Sequence, residues 1–185
     1  MNEKQVENPV YSHDTLEFVT VAVEFCAFLE NSQGREKKDF VETLLKLLPL
    51  LYLKAVLLPR VESNGDFLPP DRITEQEYDF IRHIIFDILR KDDEYEELVC
   101  DQDMQTDVSQ WKSISENLAD MYQAIRNFLY VYQQGIEDCM HDALWALNDN
   151  FELYWGQNLV DSLKRLHYLC YSGNPIDDDD EDNIQ

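Results

Sequence analysis

Apolar positions recur along this chain at intervals of three and four, the period of an amphipathic helix, and the residues that start and stop each run can be read. The run "LEFVTVAVEFCAFLE" (16–30) is apolar on nearly every side except along His13, Glu17, Thr20 and Glu24, which predicts a central helix. Asp14-x-x-Glu17 serves as its capping box, and Asn31 to Gly34 end it. A second helix over about 38–58 is expected to kink or split at Pro49, which cannot donate to the helix ladder. The segment "PRVESNGDFLPPDR" (59–72) reads as a loop. Thr74-x-x-Glu77 opens a third helix with Tyr78, Ile81, Ile85 and Ile88 on one face. "DDEYEELVCDQDMQTD" (92–107) carries eight carboxylates and no basic residue. It reads as a solvated connection with one short extended or helical piece near 95–99. Ser113-x-x-Glu116 then opens an amphipathic helix on which Ile114, Leu118, Met121, Ile125, Phe128 and Tyr132 share a face, and Gly135 permits a turn.

The last helical run is the longest. Met140, Leu144, Leu147, Phe151, Trp155, Leu159, Leu163, Leu166 and Cys170 form one stripe, with acids in its first turn and Lys164 and Arg165 near its end. This predicts one helix over about 137–171, stopped by Ser172-Gly173-Asn174-Pro175; a rival reading breaks it at Asn148-Asp149-Asn150. Gly156 lies inside the run, where glycine costs ~1 kcal/mol relative to alanine. The expected reason is close approach of a neighbouring helix.

No set of alternating strands and no internal repeat is visible. The fold class is therefore all-α: a single-domain bundle of about five or six helices over 1–174, with a long C-terminal helix and a disordered acidic tail over 175–185.

Charge narrows the possible partners. The net charge is −23, and removing the run "DDDDED" (177–182) still leaves −17. Such a field repels phosphate backbones and anionic lipid, so nucleic acid and membrane are disfavoured and a protein with a basic surface is favoured. Cys26, Cys100, Cys139 and Cys170 show no metal-type or C-x-x-C spacing, which with the apolar setting of three of them points to a reducing cytoplasm. "MNEKQVENPV" lacks the apolar core of a signal peptide, and "LLKLLPLLYLKAVLL" (44–58) is too short and too interrupted to span a bilayer.

Candidate chemistry is sparse. Asp149, Glu152 and Gly156 lie in a row beside the stripe residue Trp155. If the helices around Gly135 pair antiparallel, Glu116 and Asp120 come level with this row. Glu116, Asp120, Asp149 and Glu152 could then hold Mg²⁺ or Mn²⁺. The helical wheel opposes this, because Glu116 and Asp120 lie about 200–240° round from their own apolar stripe. His141-Asp142, with Asp138 one turn earlier, resembles the motif of metal-dependent HD phosphohydrolases. With four His and 21 Asp in 185 residues, about 0.45 such dipeptides arise by chance. "DQDMQTD" (101–107) departs from a calcium loop at its glycine and at its terminal glutamate. No phosphate loop, G-x-S-x-G or H-E-x-x-H occurs.

At "LEFVTVAVEFCAFLE", "SENLADMYQAIRNFL" and "DALWALNDNFELYWGQNLVDSLKRLH" the chain resembles an uncharacterised bacterial family, a domain of unknown function, over roughly residues 10–171. The resemblance implies an all-helical bacterial cytoplasmic protein and carries no activity. The leading expectation is a small acidic, non-catalytic protein-binding domain, with Asp149, Glu152, Trp155 and Gly156 forming a notch. The alternative is a divalent-metal-dependent hydrolase of a phosphorylated small molecule, using the four carboxylates. Mimicry of DNA charge is a third reading, which requires acidic rows along one face.

Overall fold

A computed structural model of the chain describes residues 8–65, 70–101 and 106–172. The acidic tail lies outside the described residues, as does most of the segment that resembles a calcium loop. Six helical segments follow one another: α1 (His13–Glu30), α2 (Lys37–Leu57), α3 (Glu75–Leu89), α4 (Ile114–Tyr132), α5 (Glu137–Asn150) and α6 (Gly156–Tyr171). Between α3 and α4 runs an antiparallel hairpin, β1 (Glu94–Asp101) and β2 (Thr106–Ser113), in register from Glu94 opposite Ser113 to Asp101 opposite Thr106.

Local chemistry sets the helix ends. Thr74 and Glu77 form a full capping box, each side chain bonded to the other residue's backbone N–H. Ser113 caps α4 by accepting from the Glu116 N–H at 3.2 Å. At α1 the cap is Ser12 and not Asp14: its hydroxyl accepts from the Thr15 N–H at 3.2 Å. Glu17 is thereby released to meet Lys54 of α2 at 2.6 Å. Gly135, at φ +70°, turns the chain from α4 to α5. Pro49 does not split α2, which runs unbroken through it.

The expectation of a central first helix is not met. Leu16 and Val23 of α1 are about half exposed, and α4 takes the centre, packed against α1, α3, α5 and α6. Ile114, Leu118, Met121, Ile125 and Phe128 of α4 are all buried, in one core with Phe18, Phe25, Phe40, Leu44, Ile85 and Trp155. The physical reason is geometric. A central helix must present apolar side chains to several neighbours at once, and the wide stripe of α4 does so while the surplus apolar residues of α1 find no partner.

The extended piece expected near 95–99 is part of β1, but the hairpin is no solvated connection. It is held instead by its polar inner face. Tyr95 lies under Arg165 of α6, and Lys112 reaches Asp161 and Glu97 at 2.6 and 2.7 Å. At the root of the hairpin, buried Asp93 accepts from the Ser115 N–H at 2.7 Å and from the Ser113 and Ser115 hydroxyls at 2.8 Å. Leu98 and Trp111 stand on the outer face, open to solvent. The architecture remains a helical bundle carrying this one ribbon.

From Glu137 to Tyr171 the chain is one 35-residue helical run, as the stripe requires and without a break at 148–150. One turn within it, Phe151–Trp155, is a π turn. There the Gly156 N–H donates to the Phe151 carbonyl, five residues back.

Candidate functional site

A π turn holds one residue more than an α turn, and such turns concentrate at functional sites because they push side chains out of line. Here the stripe steps by four from Leu147 to Phe151, Trp155, Leu159 and Leu163 without a compensating three. That is four turns over 16 residues, where an α-helix would use about 14.4. The surplus residue is the π turn.

Its inner side chains are fixed. Trp155 is 1% exposed, packs on Phe151 with ring centroids 4.5 Å apart, and donates from Nε1 to the Leu147 carbonyl at 3.3 Å. Phe18 and Tyr52 close the cluster against Trp155 and Phe151 respectively. Gly156 is explained by the same turn. A Cβ there would collide with the Phe151 carbonyl oxygen and lie 3.0 Å from its ring. The close approach comes from the residue's own helix and not from a neighbouring one.

The outer side chains of the turn, Leu153 and Tyr154, are 61% and 64% exposed. They stand at the rim of a cleft of about 620 Å³ between α4, the turn and the start of α6. Its polar lining consists of two carboxylates, Asp71 and Asp120, and five carboxamides: Gln123, Asn127, Asn150, Gln157 and Asn158. Several of these are held in place. Asn127 Oδ1 accepts from the Arg72 and Ile73 backbone at 2.9 and 3.1 Å, while its Nδ2 donates to Asp71 at 2.7 Å. Asp120 accepts from the Tyr78 hydroxyl at 2.8 Å and from Asn158 at 3.2 Å. Burial, together with that bond to the Asp120 carboxylate, pushes the Tyr78 phenol pKa up, so the hydroxyl keeps its proton and stays a donor.

The four residues expected to form a notch separate. Trp155 floors the cleft as a core residue and offers no exposed aromatic anchor. Gly156 is buried under the turn. Asp149 is exposed on α5 and is not part of the cleft lining, and Glu152 points elsewhere to pair with Arg60.

The four carboxylates expected to hold a metal are not gathered either. Asp120 lines the cleft, whereas Glu116 borders a different hollow with Arg82, Phe86 and Trp111. Among the described residues, the one trio of ligand atoms close enough to share an ion is His13, Asp14 and Glu17 at the start of α1, where Glu17 is already paired with Lys54. Among the described residues, no ligand trio forms around His141 and Asp142 either. Asp142 is fully buried and accepts from the Asn64 N–H at 2.7 Å, pinning the loop after α2.

The sequence pattern of a protein family described as a domain of unknown function (DUF5063) matches residues 9–172. The chain belongs to this family. The chain is also similar to the crystal structure of protein BF1032 from Bacteroides fragilis, at 42% identity and a TM-score of 0.78, over 88% of this chain and 99% of that one. The comparison with curated proteins gives no match. Among the described residues, no helix is long and apolar enough to cross a membrane. Within this DUF5063 domain, the cleft residues Gln123, Asn127, Asn150, Leu153 and Asn158 were not picked out by sequence reasoning. The uncompensated run of fours in the stripe is the signal that could have marked the turn bearing Leu153.

Proposed function

We propose that this domain is a non-catalytic protein-binding module whose cleft takes an extended, basic segment of a partner protein. The observation that carries this reading is the composition of the lining: five carboxamides and two carboxylates beneath an exposed Leu153–Tyr154 rim. A carboxamide offers both a donor and an acceptor, which suits the backbone amides of an extended peptide. Asp71 and Asp120 suit a lysine or arginine side chain, and the rim suits an apolar one. The net charge of −23 favours the encounter with a cationic segment. Among the described residues the lining contains no lysine, arginine, histidine, cysteine or serine, so no Ser–His, Cys–His or lysine nucleophile is at hand. The hydrolase alternative draws no support from side chains as scattered as Glu116, Asp149 and Glu152.

The test is binding of fluorescein-labelled hexapeptides, one series carrying lysine and arginine and the other glutamate, followed by anisotropy. Tyr154→Ala should weaken capture of the basic series about tenfold, as loss of an interface anchor does. Glu152→Lys, outside the cleft, should leave it nearly unchanged. Equal affinity of Tyr154→Ala and wild type for every basic probe would overturn the proposal.

A further inference from the structure

Carboxylates make up 38 of the 185 residues, yet the stretch 43–61 has none and is the longest such run in the chain. It covers most of α2. A second carboxylate-free run begins at Ser162 and covers the last part of α6, and α2 packs directly against α6. The two together give a very acidic molecule one face poor in acids, where Glu17 and Glu97 at its borders are paired with Lys54 and Lys164.

That face is also apolar and uncovered. Leu50, Leu53 and Leu57, spaced to lie along one line of α2, are 42%, 51% and 45% exposed. They stand opposite the core residues Leu44, Leu48 and Leu51, and the described residues leave about half of each open. Beside this ridge, between α2 and α6, runs a groove of about 590 Å³ lined by Leu45, Pro49, Val160, Leu163, Lys164 and His167, with Tyr171 at its end. Soluble monomers rarely leave so continuous an apolar surface open.

We infer that this face is where two copies of the chain meet. The argument is one of charge. Two bodies of charge −23 repel one another over any carboxylate-bearing surface. The α2–α6 face is where they can approach with few acids between them, those at its borders already paired with lysine, and remove apolar surface from water in doing so. A ridge and a groove side by side form a self-complementary pair, as a two-fold interface demands: each ridge lies against the other copy's groove. With the axis passing near Leu53, Lys46 of one copy falls opposite the Arg60–Glu62 end of the other, where Glu62 is exposed. The occupant is thus a second copy and not a lipid surface.

Sedimentation equilibrium of the full-length chain across a range of concentrations and salt tests this. The mass should rise toward that of two chains of 21.9 kDa, and association should tighten as salt screens the repulsion. Leu53→Glu, at a half-exposed position, should keep the same circular dichroism and melting temperature while weakening the dimer tenfold or more, roughly the loss of a central interface anchor. A wild-type mass of one chain at the highest soluble concentration would overturn the inference. So would a Leu53→Glu dimer of undiminished strength, or a dimer that weakens with salt. Pelleting with neutral phosphatidylcholine vesicles, abolished by Leu53→Glu, would assign the face to lipid instead and equally overturn it.

Discussion

Replacing Gly156 with alanine separates two opposing effects. In an ordinary helix the change stabilises by about 1 kcal/mol, because alanine loses less backbone entropy. Here the added methyl would press on the Phe151 carbonyl oxygen, the atom that accepts the π-turn hydrogen bond, and would sit 3.0 Å from the Phe151 ring. Overpacking of this kind costs about 1–3 kcal/mol. A backbone oxygen has no rotamer through which to escape, so the upper end applies. Reverting the turn to α geometry offers no relief, since it would rotate α6 by about 100° and swing Leu159 and Leu166 off the core. Setting about 3 kcal/mol of strain against about 1 of propensity leaves a net loss of about 2 kcal/mol. For a domain of this length that is a fall in Tm of about 4–8 °C. Differential scanning calorimetry measures it directly, with Asp149→Ala, exposed on the same helical run, expected within about 0.5 kcal/mol of wild type. A Tm for Gly156→Ala that equals or exceeds wild type would refute the claim that the π turn dictates the glycine.

Deleting Leu153 removes the surplus residue and restores the ordinary alternation of fours and threes; the deletion should fold and retain most of its helicity by circular dichroism, whereas deleting His167 in the regular part of α6 should not. Asp93→Ala strands three buried or half-buried donors at the root of the hairpin and should cost about 2–4 kcal/mol in urea unfolding. Hydrogen bonds from Lys112 and Lys164 hold the Glu97 pKa below its ordinary value. A depressed carboxylate contributes stability above its unfolded pKa of about 4.3 and loses it as pH falls through the folded value. The stability gap between wild type and Glu97→Gln should therefore be constant from pH 7 down to about 5 and close below about pH 4, which urea titrations at each pH would show.

The helices were legible because each is an amphipathic stripe bounded by a capping residue, and that arithmetic is local. Thr74, Ser113 and Gly135 did in the structure what their residue types suggested. Misreadings arose where tertiary contacts overrule the local pattern. The hairpin has no alternating apolar face to find: its inner side pairs Glu97 with Lys112 and Lys164, and two of its large apolar side chains, Leu98 and Trp111, face water. Asp14 lost the α1 cap to Ser12 because the turn before it, with Thr15 donating to the Pro9 carbonyl at 2.7 Å, fixes the entry of the chain. An antiparallel pairing about Gly135 brings the carboxylates of α5 and its continuation level with those of α4, but the helical wheel already turns Glu116 and Asp120 away. The π turn instead leaves the exposed Leu153–Tyr154 pair at the cleft rim, while Glu152 pairs with Arg60 away from the cleft lining. That rotation was written in the spacing of the apolar stripe, one residue too long over four turns.

The central claim is that recognition resides in the carboxamide cleft. Titrating the ¹⁵N-labelled full-length chain with an unlabelled hexapeptide of alternating lysine and leucine, and following amide and carboxamide resonances, tests it most directly. The account predicts saturable shifts centred on Asn127, Asn150, Tyr154 and Asn158, lost in Tyr154→Ala. Small shifts spread evenly over the acidic surface, with the cleft carboxamides unmoved, would contradict it.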